Sequence, residues 1–149
     1  MALLSPGDQD KLRESFAEMT RPARLLFFTQ TLGCETCPEA RQILDELLPL
    51  SDKITIEEIN LVLEGDRARS YGIDRPPSIV VAYEAPDAPG TLVDTRIRFI
   101  GAPAGYEFSN LIQAVLLAGG REPRLSEATR SRLAAVDRPV TMQVFTTPT

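Results

Sequence analysis

Apolar residues recur along the chain with two periods. From Asp8 to Met19 the positions Leu12, Phe16 and Met19 share one helical face with charges opposite, which predicts an amphipathic helix started by Ser5-Pro6-Gly7-Asp8 and ended by Arg21-Pro22. Ala23 to Thr29 is a short apolar run centred on Leu25 to Phe28, as expected of a strand buried on both faces. Gln30-Thr31-Leu32-Gly33 then reads as a loop leading to Cys34. From Cys37 to about Leu48 the helical spacing returns, with Ala40, Ile43, Leu44, Leu47 and Leu48 on one face and Pro38 in the first turn, where a missing N–H costs nothing. Ile54 to Ile59 reads as a strand, Glu64 to Tyr71 as a short helix stopped by Gly72, and Ser78 to Tyr83 as an apolar strand. A Pro-rich loop over Glu84 to Gly90 precedes a strand from Thr91 to Ile100. After the turn Gly101 to Gly105, Tyr106 to Leu117 predicts a helix with Phe108, Leu111, Ile112 and Val115 inward, closed by Gly119-Gly120.

A helix followed by β-α-β-α-β-β-α predicts an α/β fold, a mixed four-stranded sheet with helices on both faces. This unit spans residues 1–120. Residues 121–149 change the organisation: Ser126 to Val136 reads as a helix capped by Ser126, and Val140 to Phe145 as a strand without a partner in sequence, like the beginning of a second unit.

Composition narrows the function. The 149 residues are 43% hydrophobic and 25% charged, typical of a globular protein, and the net charge of −5 argues against nucleic acid as a partner. No apolar run is long enough to span a membrane, and the start of the chain lacks a signal-peptide pattern, so the expected compartment is the cytoplasm. Histidine is absent, which removes imidazole bases and most transition-metal sites. The two cysteines lie three apart in Cys34-Glu35-Thr36-Cys37.

That spacing brings two thiols to one face of a helix at a separation a disulfide tolerates. A strand–loop–helix setting puts Cys34 at the helix N-terminus, where unpaired N–H groups and the helix dipole favour a thiolate. Cys34 is therefore the expected nucleophile and Cys37 the resolving thiol. Glu35 and Glu39 oppose the thiolate, which destabilises the reduced form and points toward reductase-like behaviour. Inert packing cysteines are a weaker alternative. A zinc site is weaker still, since four ligands require two chains. No cofactor and no metal is expected. Gly101 and Gly105 read as turn glycines, and Asp74, Arg75 and Glu107 as solvated or capping charges.

Cys34-Glu35-Thr36-Cys37 after an apolar strand, followed by Tyr71-Gly72-Ile73-Asp74-Arg75-Pro76-Pro77 and another strand, resembles the thioredoxin superfamily. The leading helix, Leu50-Ser51-Asp52-Lys53, Gly72-Ile73-Asp74-Arg75 and the stretch from Phe99 to Phe108 are similar to the N-terminal unit of the glutaredoxin-like protein disulfide oxidoreductases of thermophilic archaea and bacteria. The same places are similar to the N-terminal domain of the flavoprotein component of alkyl hydroperoxide reductase, whose first unit typically lacks the cysteines. The resemblance implies a thioredoxin-like fold, a cis Pro77 whose loop (Pro76, Pro77) faces the cysteines and binds substrate, and catalysis by Cys34 and Cys37. It implies protein or small-molecule disulfides and dithiols as partners, with a thioredoxin-reductase-like electron donor. It also implies a tandem arrangement in which residues 140–149 match the first strand of a second unit. An unpaired strand of this kind invites a homodimer through the C-terminal strand.

Three positions depart from the thioredoxin pattern. Gly33 replaces the tryptophan beside the first cysteine, Phe28 stands where a buried acid takes the resolving cysteine's proton, and Pro76 lacks the N–H that a bound peptide would use. They give weight to a second function class, a redox-weak or non-catalytic module for docking.

Overall fold

The computed structural model describes residues 3–146. The elements run α1 (Pro6–Ala17), β1 (Ala23–Thr29), α2 (Cys37–Asp45), β2 (Ile54–Asn60), α3 (Gly65–Ser70), β3 (Ser78–Glu84), β4 (Leu92–Ile100), α4 (Tyr106–Ala118) and α5 (Glu127–Ala134), with a 3-10 turn at Leu48–Leu50 after α2. The sheet has the order β2-β1-β3-β4. β1 and β2 are parallel, as the α2 crossover between them requires, while β3 runs antiparallel to both β1 and β4. The expected mixed four-stranded sheet is therefore present. The connection through α3 brings the chain back antiparallel, so that β1 and β2 are the parallel pair and β3 opposes them.

Both faces of β1 are buried because its side chains alternate between two cores. Leu25 and Phe27 join the larger one, with Phe16 and Met19 near α1, Ala40, Ile43 and Leu44 of α2, and Leu111 and Val115 of α4. Leu26 and Phe28 join the smaller one, with Ile59, Ala68 of α3, Ile73 and Val80. Alternation along a strand thus sends consecutive phenylalanines to opposite layers. Leu48 departs from the predicted inward face of α2: the helix ends at Asp45, the following turn tightens, and Leu48 is exposed.

The first and last helices begin as the sequence suggests. Ser5 Oγ accepts from the Asp8 N–H at 3.2 Å, and Ser126 Oγ from the Thr129 N–H at 3.1 Å. α5 buries no residue, and residues 140–146 belong to no strand. The predicted strand at Val140 to Phe145 lacks ladder partners among the described residues, and a strand exists only when paired. Residues 147–149, the end of the stretch matched to a second unit, lie outside the described residues. Among the described residues no helix is long and apolar enough to cross a membrane.

Candidate functional site

At the C-terminal ends of the parallel strands β1 and β2, the chain leaves Thr29 and turns toward α2. The Thr29 carbonyl accepts from the Leu61 N–H at 2.8 Å, fastening the exit of β1 to that of β2. The Gln30 amide donates to the Leu32 carbonyl at 2.6 Å and folds the loop back on itself. Gly33 follows with φ of +76°, a left-handed conformation that other residues rarely adopt.

This loop delivers Cys34 against Cys37, and the two form a disulfide with Cα atoms 5.5 Å apart. The regular helix starts at Cys37, so Cys34 precedes it in the turn, whereas the spacing alone predicts both on one helical face. The two sulfur-bearing residues differ in access. Cys37 is 6% exposed at the first turn of α2, whereas Cys34 is half-buried at the surface.

The disulfide opens onto a hollow of about 250 Å³. Phe27, Thr29 and Gln30 form its β1 side, Glu58 and Asn60 its β2 side, and Cys37, Pro38 and Arg41 its α2 side. Arg41 follows Cys37 by one helical turn and so shares its face. Its guanidinium donates to Asp45 Oδ1 at 2.8 Å and to the Glu58 carboxylate. Glu58 continues the face of β2 on which Ile54 and Ile56 pack against the larger core, two residues further toward solvent. Neither Arg41 nor Glu58 stands out in the sequence. The signals that mark them are the four-residue step from Cys37 and the parity of β2, which acquires meaning only once β1 and β2 are known to be parallel neighbours.

Two sequence-based assignments change. The β1 side chain that lines the hollow is Phe27; Phe28 is 0% exposed and points to the opposite layer, 6.1 Å from the Tyr71 ring between centroids. Strand parity is the reason, and the wall stays apolar either way. Glu39, expected beside the cysteines, lines a separate hollow with Leu4, Ile43 and Phe108. The acid that shares the disulfide's hollow is Glu58.

The Pro76–Pro77 bond is cis. Ser78 Oγ donates to the Arg75 carbonyl at 2.6 Å, and the Gly101 N–H donates to the Pro77 carbonyl at 2.8 Å, pinning the loop from both sides. Phe28 pairs with Ser78 across β1 and β3, so Pro77 lies beside the end of β1, at the same end of the sheet as the disulfide. Pro77 is buried and Pro76 half-buried, and neither lines the hollow with the cysteines.

No protein-family model matches the chain. The alkyl hydroperoxide reductase AhpF of Staphylococcus epidermidis is 27% identical over 119 residues, 79% of this chain and 20% of that protein. The first matching curated relatives are much longer, the chain spanning 13% and 20% of their lengths. Among solved structures, the N-terminal domain of the alkyl hydroperoxide reductase AhpF from Enterococcus faecalis superposes on 91% of this chain and 62% of its own, with a TM-score of 0.76 and 29% identity. A protein disulfide oxidoreductase from Aeropyrum pernix covers 88% of this chain and 54% of its own, with a TM-score of 0.69 and 23% identity, a likeness of fold. The chain has a thioredoxin-like fold, carries a cysteine pair that fits a Cys-x-x-Cys dithiol site, and is similar to the N-terminal domain of the alkyl hydroperoxide reductase AhpF.

Proposed function

We propose that this chain exchanges disulfides through Cys34 and Cys37. The observation that carries the reading is a disulfide of unequal access at the mouth of an open hollow: Cys34 reaches the surface and Cys37 does not. In the reducing direction the Cys34 thiolate attacks a substrate disulfide, forming a mixed disulfide and expelling one substrate thiolate. Cys37, losing its proton, then attacks Cys34 Sγ, which re-forms the internal disulfide and releases the second thiolate. One disulfide is reduced, one dithiol is oxidised, and a donor dithiol restores the pair.

On this reading the substrates are protein or small-molecule disulfides, the donor is a dithiol protein of the thioredoxin-reductase type, and Pro76 and Pro77 contact the substrate. A cytoplasmic setting would keep the pair reduced between turnovers. Residues 1–120 form the working unit, and residues 121–149 open a further one or pair with a second copy. The exposed Val140, Met142, Val144 and Phe145 favour such pairing. A strictly monomeric chain in sedimentation, with those residues unprotected from hydrogen exchange, would remove the homodimer.

The competing reading, a docking module without catalysis, is favoured by the apolar Phe27 wall and by the missing Pro76 N–H. Dithiothreitol-driven insulin reduction separates the two. The wild-type chain accelerates precipitation of the insulin B chain and Cys34→Ser loses that acceleration. Equal rates for the two proteins would leave the docking module.

A further inference from the structure

Cys37 must lose a proton before it can attack Cys34 Sγ, and the strand beneath it presents Phe27. A buried thiol without a nearby acceptor waits for hydroxide, because desolvation disfavours its anion. The hollow that Cys37 lines does hold an acceptor. Glu58 reaches it from β2, and Arg41, one turn along α2 from Cys37, grips the Glu58 carboxylate. The parallel register sets Glu58 directly beside Phe27. The pair is thus fixed to the sheet at one end and to the cysteine-bearing helix at the other.

We propose that Glu58 is the proton acceptor for Cys37, with Arg41 as the positioning residue that holds its carboxylate in the hollow. The proposal rests on the disulfide-exchange reading and assigns a residue to its second step. The Cys37 thiol gives its proton to the Glu58 carboxylate, directly or through one water. The resulting thiolate forms the S–S bond with Cys34 as the Cys34–substrate S–S bond breaks. The leaving substrate sulfur carries off the electron pair, and Glu58 returns the proton to solvent or to that sulfur. The titratable and charged groups around Glu58 are the two cysteines, Arg41 on α2 and, beyond Arg41, Asp45; β1 contributes Phe27 and Thr29, which do not titrate in this range.

The test separates the two chemical steps with the chromogenic disulfide dithiobis(nitrobenzoate). Pre-reduced protein releases one thionitrobenzoate when Cys34 attacks and a second when Cys37 closes on the mixed disulfide. In the wild type the second release varies little with pH from about 6 to 8, since the proton leaves Cys37 to a group held in the hollow rather than to hydroxide. Glu58→Gln slows the second release by about tenfold near pH 6, below the usual range for a general base because this carboxylate is half-exposed to competing water. In that variant the rate climbs with hydroxide and rejoins the wild type at alkaline pH, while the first release is not slowed, since removing a carboxylate from the hollow does not disfavour the Cys34 thiolate. Glu58→Asp, which keeps a carboxylate, gives an intermediate rate with the wild-type pH dependence. A Gln variant whose second release matches the wild type at every pH overturns the proposal. Should Gln disturb folding, seen as a slowed first release, the Asp variant decides: a hydroxide-dependent second release there overturns it equally. A wild-type chain with no first release, or one that survives Cys34→Ser, instead marks failure of the disulfide-exchange reading.

Discussion

Phe27 and Glu58 are neighbours in the parallel register of β1 and β2, and both line the hollow onto which the Cys34–Cys37 disulfide opens. The first gives that hollow an apolar floor; the second gives it a charge, shared with Arg41. A strand that supplies no acid and an adjacent strand that does amount to a redistribution of polarity across the sheet. The apolar residue is 1% exposed and belongs to the main core, whereas the Glu58 side chain is 52% exposed and open to water.

Unequal access predicts unequal reactivity. With the disulfide reduced, limiting iodoacetamide should modify Cys34 at least about tenfold faster than Cys37, since alkylation requires an exposed thiolate. Peptide mapping by mass spectrometry after short exposures measures the ratio. Equal labelling would mean that the reduced loop opens enough to expose Cys37, and the order of attack assigned to the two cysteines would lose its basis.

Gly33 occupies a left-handed conformation, and a Cβ there would stand 3.4 Å from the Gln30 amide nitrogen. Gly33→Trp is therefore not a simple way to restore an aromatic platform beside Cys34. Left-handed backbone costs a non-glycine residue about 1–2 kcal/mol. Both Gly33→Trp and Gly33→Ala should lower the melting temperature by several degrees, and by similar amounts, because the backbone rather than the ring is the cause. A tryptophan variant as stable as the wild type would show that the loop accepts another conformation.

What the sequence discloses about this site follows from which contacts are local. Helix α2, its Pro38 and the cysteine spacing are legible because they depend on residues within one or two turns. Strand β1 is legible because its four central residues, Leu25 to Phe28, are all apolar and all buried. The side on which each β1 residue falls is not, since the apolar run Leu25 to Phe28 carries no alternation, and the resemblance to thioredoxins points to Phe28 for the place that Phe27 holds. Glu58 is hidden for a related reason: β2 alternates, but nothing local tells which face meets the cysteines. The last strand-like segment shows the converse limit. Val140, Met142 and Val144 have the right period, yet pairing is a tertiary property, and among the described residues they have no ladder partner.

The outer face of β2 carries a second ionic cluster, and it gives the fold a pH dependence. The Arg67 hydrogen bond to Glu57, reinforced by the charges of Arg67 and Arg24, lowers the Glu57 pKa below its ordinary 4.5 in spite of partial burial. A carboxylate with a depressed folded value stabilises the fold fully above its unfolded value and loses that contribution as pH falls through the folded one. Glu57→Gln should cost about 0.5–1 kcal/mol at neutral pH, the range of partly exposed ion pairs. The difference from wild type should close as pH drops below 4.5, when the wild-type carboxylate is itself neutralised. Urea unfolding of both proteins at neutral and strongly acidic pH tests this, and a constant difference would assign the loss to packing.

Pro76 is half-buried beside the buried Pro77, at the same end of the sheet as the disulfide, and as a proline it has no main-chain N–H to offer. A protein substrate that lies extended along this loop forfeits a hydrogen bond worth about 1 kcal/mol, or roughly fivefold in affinity. Pro76→Ala restores the donor and leaves Pro77 in place. Its effect should fall on KM for a protein disulfide, lowered several-fold, with kcat nearly unchanged, because the bond forms alike in the bound substrate and in the transition state. A small aromatic disulfide, too short to reach the loop, should be reduced at the same rate by both proteins. An unchanged KM for the protein substrate would mean that extended peptides do not run along Pro76, and the hollow lined by Thr29, Asn60 and Glu58 would become the better candidate for the substrate's path.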